Sequence, residues 1–115
     1  MKRGEVWTVA GGEDDSGKPR PAVIVQDDRF DETKSITICP FTTNPVEASR
    51  FCLTLESDGE NGLRTACRLM VDKTMTVPKS KLREKIGRLA DQDVVRLNRA
   101  MIVFLGMAAP PRTSS

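Results

Sequence analysis

An arginine held between two prolines opens one apolar run of this chain, Lys18-Pro19-Arg20-Pro21-Ala22-Val23-Ile24-Val25, and a hydroxyl pair closes another, Ile38-Cys39-Pro40-Phe41-Thr42-Thr43-Asn44. These residue types suit the handling of phosphate. A guanidinium is permanently cationic and offers several N–H donors in a fixed fork that matches phosphate oxygens. A threonine hydroxyl at a strand end can donate to the same group. The chain has neither histidine nor tyrosine, which excludes Ser-His-Asp and Cys-His mechanisms, imidazole-pair ribonuclease chemistry and histidine-based metal sites. Carboxylates, lysines, thiols and hydroxyls remain as proton carriers. No acidic cluster has the spacing of a two-metal nuclease, and Glu13-Asp14-Asp15 reads as a solvated loop run. Neither a metal nor a cofactor is expected.

Cleavage of RNA by its own 2′-hydroxyl fits this inventory. The substrate supplies the nucleophile, so the protein must hold the phosphate in line, neutralise charge growing on its oxygens and help move two protons. Removing one preorganised donor of that kind typically costs about 10²–10³ in rate.

The elements that must position these groups can be read from the apolar patterning. Val6–Val9, with the single tryptophan at Trp7, forms a first strand, followed by a polar glycine-rich loop from Ala10 to Lys18. Arg20–Gln26 is apolar on both faces, hence a central strand, with Pro21 tolerated at its start. Ser35–Phe41 is a third strand. Arg50–Glu56 alternates as a half-buried strand, and Ser57–Gly62 is a turn. Arg64–Asp72 and Thr74–Val77 continue as strand with a bend near Lys73. Pro78–Lys81 is a turn or helical stub, and Glu84–Leu89 a last strand around Gly87. Asp91 is expected to cap a helix ending near Leu105, with Gly106 suited to its far end. The stripe Val94, Leu97, Met101 and Leu105, flanked by Val95, Ile102 and Phe104, is wider than one small sheet needs. The fold class expected is mainly β (α+β): a small, strongly twisted antiparallel sheet or partial barrel capped by a C-terminal helix.

At 115 residues the chain has room for one domain with one modest core. Its net charge of +2 implies no long-range field, so nucleic acid would be held by a local groove. Cys39, Cys52 and Cys67 are odd in number and lie in apolar or alternating runs, which reads as reduced thiols of a cytosolic protein. No signal-like or membrane-length apolar segment is seen, so a soluble, cytoplasmic protein is expected.

Four blocks, in order, resemble the MazF/PemK/Kid family of toxin endoribonucleases from bacterial toxin–antitoxin systems. They are Lys2-Arg3-Gly4-Glu5-Val6-Trp7, Arg20-Pro21-Ala22-Val23-Ile24-Val25, Pro40-Phe41-Thr42-Thr43, and Ile86-Gly87-Arg88-Leu89 with the helix to Leu105-Gly106. The resemblance spans residues 1–106 and leaves 107–115 as a disordered tail. It implies a homodimer of SH3-like twisted barrels that cuts single-stranded RNA, messenger RNA in particular, at short sequences. It also implies 2′,3′-cyclic phosphate and 5′-hydroxyl ends, and inhibition by a cognate antitoxin. Arg20 takes the place of the family's catalytic arginine and Thr42 that of its catalytic threonine, and Asp72 falls where some plasmid members carry a base-acting aspartate. Cys67 stands where a substrate-contacting serine is common. Lys18, Thr43, Arg68 and Lys73 complete the expected RNA-contacting set.

Departures from the pattern are also legible. Pro19 is extra before Arg20. Met70 replaces the plasmid members' second arginine, and Arg68, two residues away on the same strand face, could substitute only by a change of reach. Lys73 replaces a common glutamine and should alter which bases are read. From the residues alone, Arg20 also fits a strand-edge ion pair, Thr42 a turn-initiating hydroxyl, Asp72 a turn carboxylate and Trp7 a core side chain. A gyrase-poisoning toxin on the same fold, and a non-catalytic barrel that binds nucleic acid or peptide, are the alternative functions. The Pro-Pro-Arg-Thr-Ser-Ser end lacks the aromatic-glycine tip of gyrase-directed relatives.

Overall fold

The β-branched and aliphatic runs become seven strands in a computed structural model that describes residues 1–10, 18–46 and 51–110. They are β1 (Glu5–Val9), β2 (Arg20–Ile24), β3 (Ser35–Thr42), β4 (Cys52–Leu55), β5 (Cys67–Met70), β6 (Met75–Pro78) and β7 (Leu82–Arg88), followed by helix α1 (Asp91–Phe104). All described pairings are antiparallel, in the order β4-β5-β3-β2-β1-β7, with β6 also on β3. The strand order leaves β4 and β7 at opposite ends, so the sheet is open. The predicted mainly antiparallel class with a C-terminal helix is the one observed.

β2 is central because both its faces are covered. Val23 joins Val6, Phe41, Leu69 and Leu97 in the larger core cluster, under the helix. Ala22 and Ile24 join Ile36, Ile38 and Leu82 in a second cluster on the other face. Trp7 packs against that second cluster, so its role is core.

β3 organises the sheet. Its first half pairs with β6 (Ile36↔Val77, Ile38↔Met75) and its end with β5 (Phe41↔Leu69, Thr42↔Arg68). Between β5 and β6 the chain makes the 3-10 turn Val71–Lys73, which is the bend expected near Lys73. Cys39 and Pro40 therefore face a break in the neighbouring edge. Proline fits there because it has no N–H to leave unpaired.

Two expectations are corrected. The strand expected over Arg64–Asp72 is only Cys67–Met70, because Arg64–Ala66 are exposed and bend away from β4. Asp91 does not cap the helix. The cap is Ala90, which is extended and accepts from the Asp93 and Val94 amides. The Leu89 amide donates to the Gly4 carbonyl at 2.8 Å, holding the chain extended until that point. Asp91 becomes the first helical residue, where its charge complements the helix dipole. The far end behaves as read: Gly106 has φ +75°, its amide reaches Val103 and the Met107 amide reaches Ile102, the Schellman arrangement.

A buried asparagine supports the closing segment. Asn61 is wholly enclosed, with its side chain bonded to the Glu56 carbonyl and the Leu63 amide. The backbone of Glu60 and Asn61 lies so close to Gly87 that a Cβ there would come within 2.3 Å of the Glu60 oxygen. Only glycine fits at that position of β7.

Glu5 ties the first strand to the last. It accepts from the Lys2 amide (3.0 Å) and the Trp7 indole (2.9 Å), and pairs with Lys85 at 3.1 Å. Burial alone would raise its pKa, but these donors outweigh it and bring the value from 4.5 to about 2. The stabilisation is thus complete above about pH 4.5 and lost as pH falls through about 2. Glu5→Gln should cost about 1–2 kcal/mol at pH 7 after allowing for solvent screening. Denaturant titrations at a series of pH values should show the gap from the parent closing between pH 4.5 and 2.

Candidate active site

Register places the candidate residues. β2 and β3 pair Ala22 with Pro40, a register that, continued by two residues, sets Arg20 level with Thr42. The next pairing sets Thr42 opposite Arg68 on β5. Arg20, Thr42 and Arg68 thus form a row across three adjacent strands, spaced about 4.8 Å apart. Each arginine shares a pocket lining with Thr42.

Arg20 and Thr42 line one pocket of about 230 Å³, together with Thr43, Asn44, Cys67 and the ring of Pro21. The Arg20 residue is exposed whereas Thr42 is buried, so a cation stands over an enclosed hydroxyl. The Asn44 amide donates to Thr42 Oγ1 at 3.1 Å, and Asn44 Oδ1 accepts from the Val46 amide at 2.9 Å. These two local turns fix the chain as it leaves β3. The turn-initiating role of Thr42 is therefore real. A hydroxyl can both accept and donate, so a turn role and a role toward a phosphate are chemically compatible.

A second pocket, of about 310 Å³, shares Thr42 and Thr43 and adds Arg68. Arg20 also borders a larger cleft of about 600 Å³, to which Met70, Lys73 and Lys81 contribute. Met70 thus faces the larger cleft, while Arg68 stands across from Thr42.

The remaining candidates divide. Cys67 is in the Arg20–Thr42 pocket, buried, with burial raising its thiol pKa. It is a neutral wall at ordinary pH. Cys39, Cys52 and Cys67 are all free thiols, and burial pushes Cys39 up to about 11. Lys73 borders the larger cleft. Asp72, exposed on the same 3-10 turn, is not among the lining residues of the three pockets, and its charge acts on the Cys39 thiol. Lys18 is exposed before β2 and lines none of the three. The loop call over Gly11–Gly17 lies outside the described residues.

Two contributors were not singled out by sequence reasoning. Asn44 carried a readable signal, since Thr-x-Asn after a strand is a turn signature. Lys81 carried none: its backbone carbonyl is fixed by the Ala10 amide at 2.8 Å, a contact between distant segments.

With the geometry in place, comparison with known proteins is informative. Residues 2–105 match the family described as PemK-like, MazF-like toxin of type II toxin–antitoxin systems. The chain belongs to this family. A probable endoribonuclease MazF of Mycolicibacterium smegmatis is 48% identical over 108 residues, covering 94% of this chain and 99% of that one. Endoribonuclease MazF9 of Mycobacterium tuberculosis is 28% identical, over 93% of this chain and 98% of the other. A mycobacterial endoribonuclease solved with its cognate antitoxin superposes with a TM-score of 0.76 at 20% identity, covering 96% and 99% of the two chains. At that identity the superposition shows the PemK/MazF fold alone.

Thr42→Val keeps the shape of the side chain but deprives the Asn44 amide of its acceptor. Stability should fall by about 1 kcal/mol, with faster hydrogen exchange at Asn44, and Thr42→Ser should restore both. Chemical denaturation and amide-exchange NMR read these effects.

Proposed function

We propose that this chain, an endoribonuclease of the MazF type, cuts single-stranded RNA at short sequences by attack of the substrate's own 2′-hydroxyl, without a metal. The observation that carries the reading is the shared pocket: a permanent cation and a buried hydroxyl at neighbouring strand ends line one space. The 2′-oxygen bonds to phosphorus as the bond to the 5′-oxygen breaks, leaving a 2′,3′-cyclic phosphate and a 5′-hydroxyl. Arg20 neutralises charge on the non-bridging oxygens, and Thr42 donates to the phosphate and orients it. Arg68, across the strand pair from Thr42, supplies the second cation in place of the residue that is Met70 here. Asp72 is assigned to proton transfer by its position next to Lys73, which borders the cleft. Thr43 and Cys67 form the walls around the phosphate, and Lys18 meets the RNA backbone.

Single strands suit such a site because unstacked bases can be read along their edges. Messenger RNA in the cytoplasm is the substrate class we assign, and a cognate antitoxin the inhibitor. Two copies form the working unit. The exposed apolar side chains at the end of α1, Ile102, Val103 and Phe104, with Leu105 just beyond it, support that assignment, since they exceed what the sheet covers. Residues 1–106 form the toxin domain and 107–115 its tail.

Purified protein incubated with a long RNA in EDTA should yield discrete fragments with cyclic phosphate ends. Arg20→Ala should lower kcat by about 10²–10³ while the protein stays folded, because a contact of an exposed side chain contributes at most about 1 kcal/mol. Normal cutting by that variant, or fragments with 5′-phosphate ends, would contradict the mechanism.

A further inference from the structure

Asn44 lines the Arg20–Thr42 pocket, and the chemistry proposed above assigns it no task. Its backbone already touches the hydroxyl: the Asn44 amide nitrogen lies 3.1 Å from Thr42 Oγ1. A side chain that branches from the carbon next to that nitrogen is carried close to whatever Thr42 reaches. The pocket, at about 230 Å³, has room for a phosphodiester linkage.

What the carboxamide can offer is decided by its partner. Oδ1 accepts from the Val46 amide at 2.9 Å, and because an N–H must meet an oxygen, the two ends of the group are assigned by chemistry. The acceptor end is occupied by the turn. The other end, Nδ2 on the same carbon, carries two N–H donors. Asn44 therefore brings donors to a space that already holds a cation and a hydroxyl.

The local sequence makes this group rigid. The ring of Pro45 holds φ at about −65°, and the residue before a proline is restricted to extended backbone. Asn44-Pro45-Val46 thus closes an Asx turn with few conformations to lose. Donors held in place before the substrate arrives stabilise developing charge most effectively, because nothing reorganises at the moment of reaction.

We propose that Asn44 Nδ2 donates to a non-bridging oxygen of the scissile phosphate, which makes Asn44 a catalytic residue beside Arg20 and Thr42. The inference rests on the RNA-cutting reading and adds one donor to it. As the 2′-oxygen closes on phosphorus, charge gathers on the non-bridging oxygens. A hydrogen bond that strengthens with that charge acts on the transition state more than on the bound substrate, so its loss falls on kcat.

Asn44→Ser keeps a neutral acceptor for the Val46 amide but lacks the N–H pair and its reach. Single-turnover cleavage at saturating RNA should slow by about 10², with little change in KM. Hydrogen exchange at Val46 should stay closer to the parent's than in Asn44→Ala, which removes the acceptor as well. The residue is exposed, so both variants should stay folded. A second readout separates donation from turn-holding. In RNA with one sulfur at the cut phosphate, the two diastereomers place the poorer acceptor on different non-bridging positions. Their rate ratio in the parent should change about ten-fold in Asn44→Ser, the size expected of one hydrogen bond. A parent-like kcat, a loss confined to KM, or a diastereomer ratio identical in parent and variant would overturn the donor while leaving nuclease action intact. A parent that yields no fragments would overturn it together with the nuclease reading.

Discussion

The register between β2 and β3 is the constraint from which the site follows. Because side chains alternate, sliding this pairing by one residue would turn Arg20 and Thr42 to opposite faces. What prevents the slip is burial on both sides of β2: Val23 belongs to one core cluster, Ala22 and Ile24 to the other. A misregistered β2 would exchange Val23 for Ala22 and Ile24 between the two clusters and present the wrong volumes to each. The same packing that holds the sheet together therefore fixes a charged group beside a hydroxyl at its end.

β3 converts that register into a cleft. It is the longest strand, Ser35–Thr42, and it exchanges one neighbour for another along a single edge. The 3-10 turn Val71–Lys73 lies at the exchange. One side of the turn leads to Arg68 and the small pockets around Thr42, the other to Met75, Val77 and the larger apolar space. Two spaces thus adjoin each other, with Arg20 bordering both. On β5, Arg68 stands across from Thr42, whereas Met70, two residues on, lines the larger cleft.

Much of this was legible in the sequence because it is local. Strand positions followed from aliphatic alternation, the centrality of β2 from apolar residues on both its faces, and the helix end from Gly106. The proximity of Arg20 to Thr42 followed from family motifs rather than periodicity, since periodicity assigns faces but not partners. The missed features are those set by distant contacts. Asp91 looks like a cap until the bond from Leu89 to Gly4 holds Ala90 extended. Arg64–Ala66 look like strand until their exposure shows that nothing pairs them there. Lys81 has no motif around it and reaches the cleft only because β7 pairs with β1 (Val9↔Leu82).

The central claim is that Arg20 and Thr42 act on one phosphate in one transition state. A double-mutant cycle measures this most directly: single-turnover cleavage of a short RNA by the parent, Arg20→Ala, Thr42→Val and the double variant. Groups that act together should be strongly non-additive, with the double variant little slower than the worse single one. Losses that multiply, as for independent sites, would contradict the account.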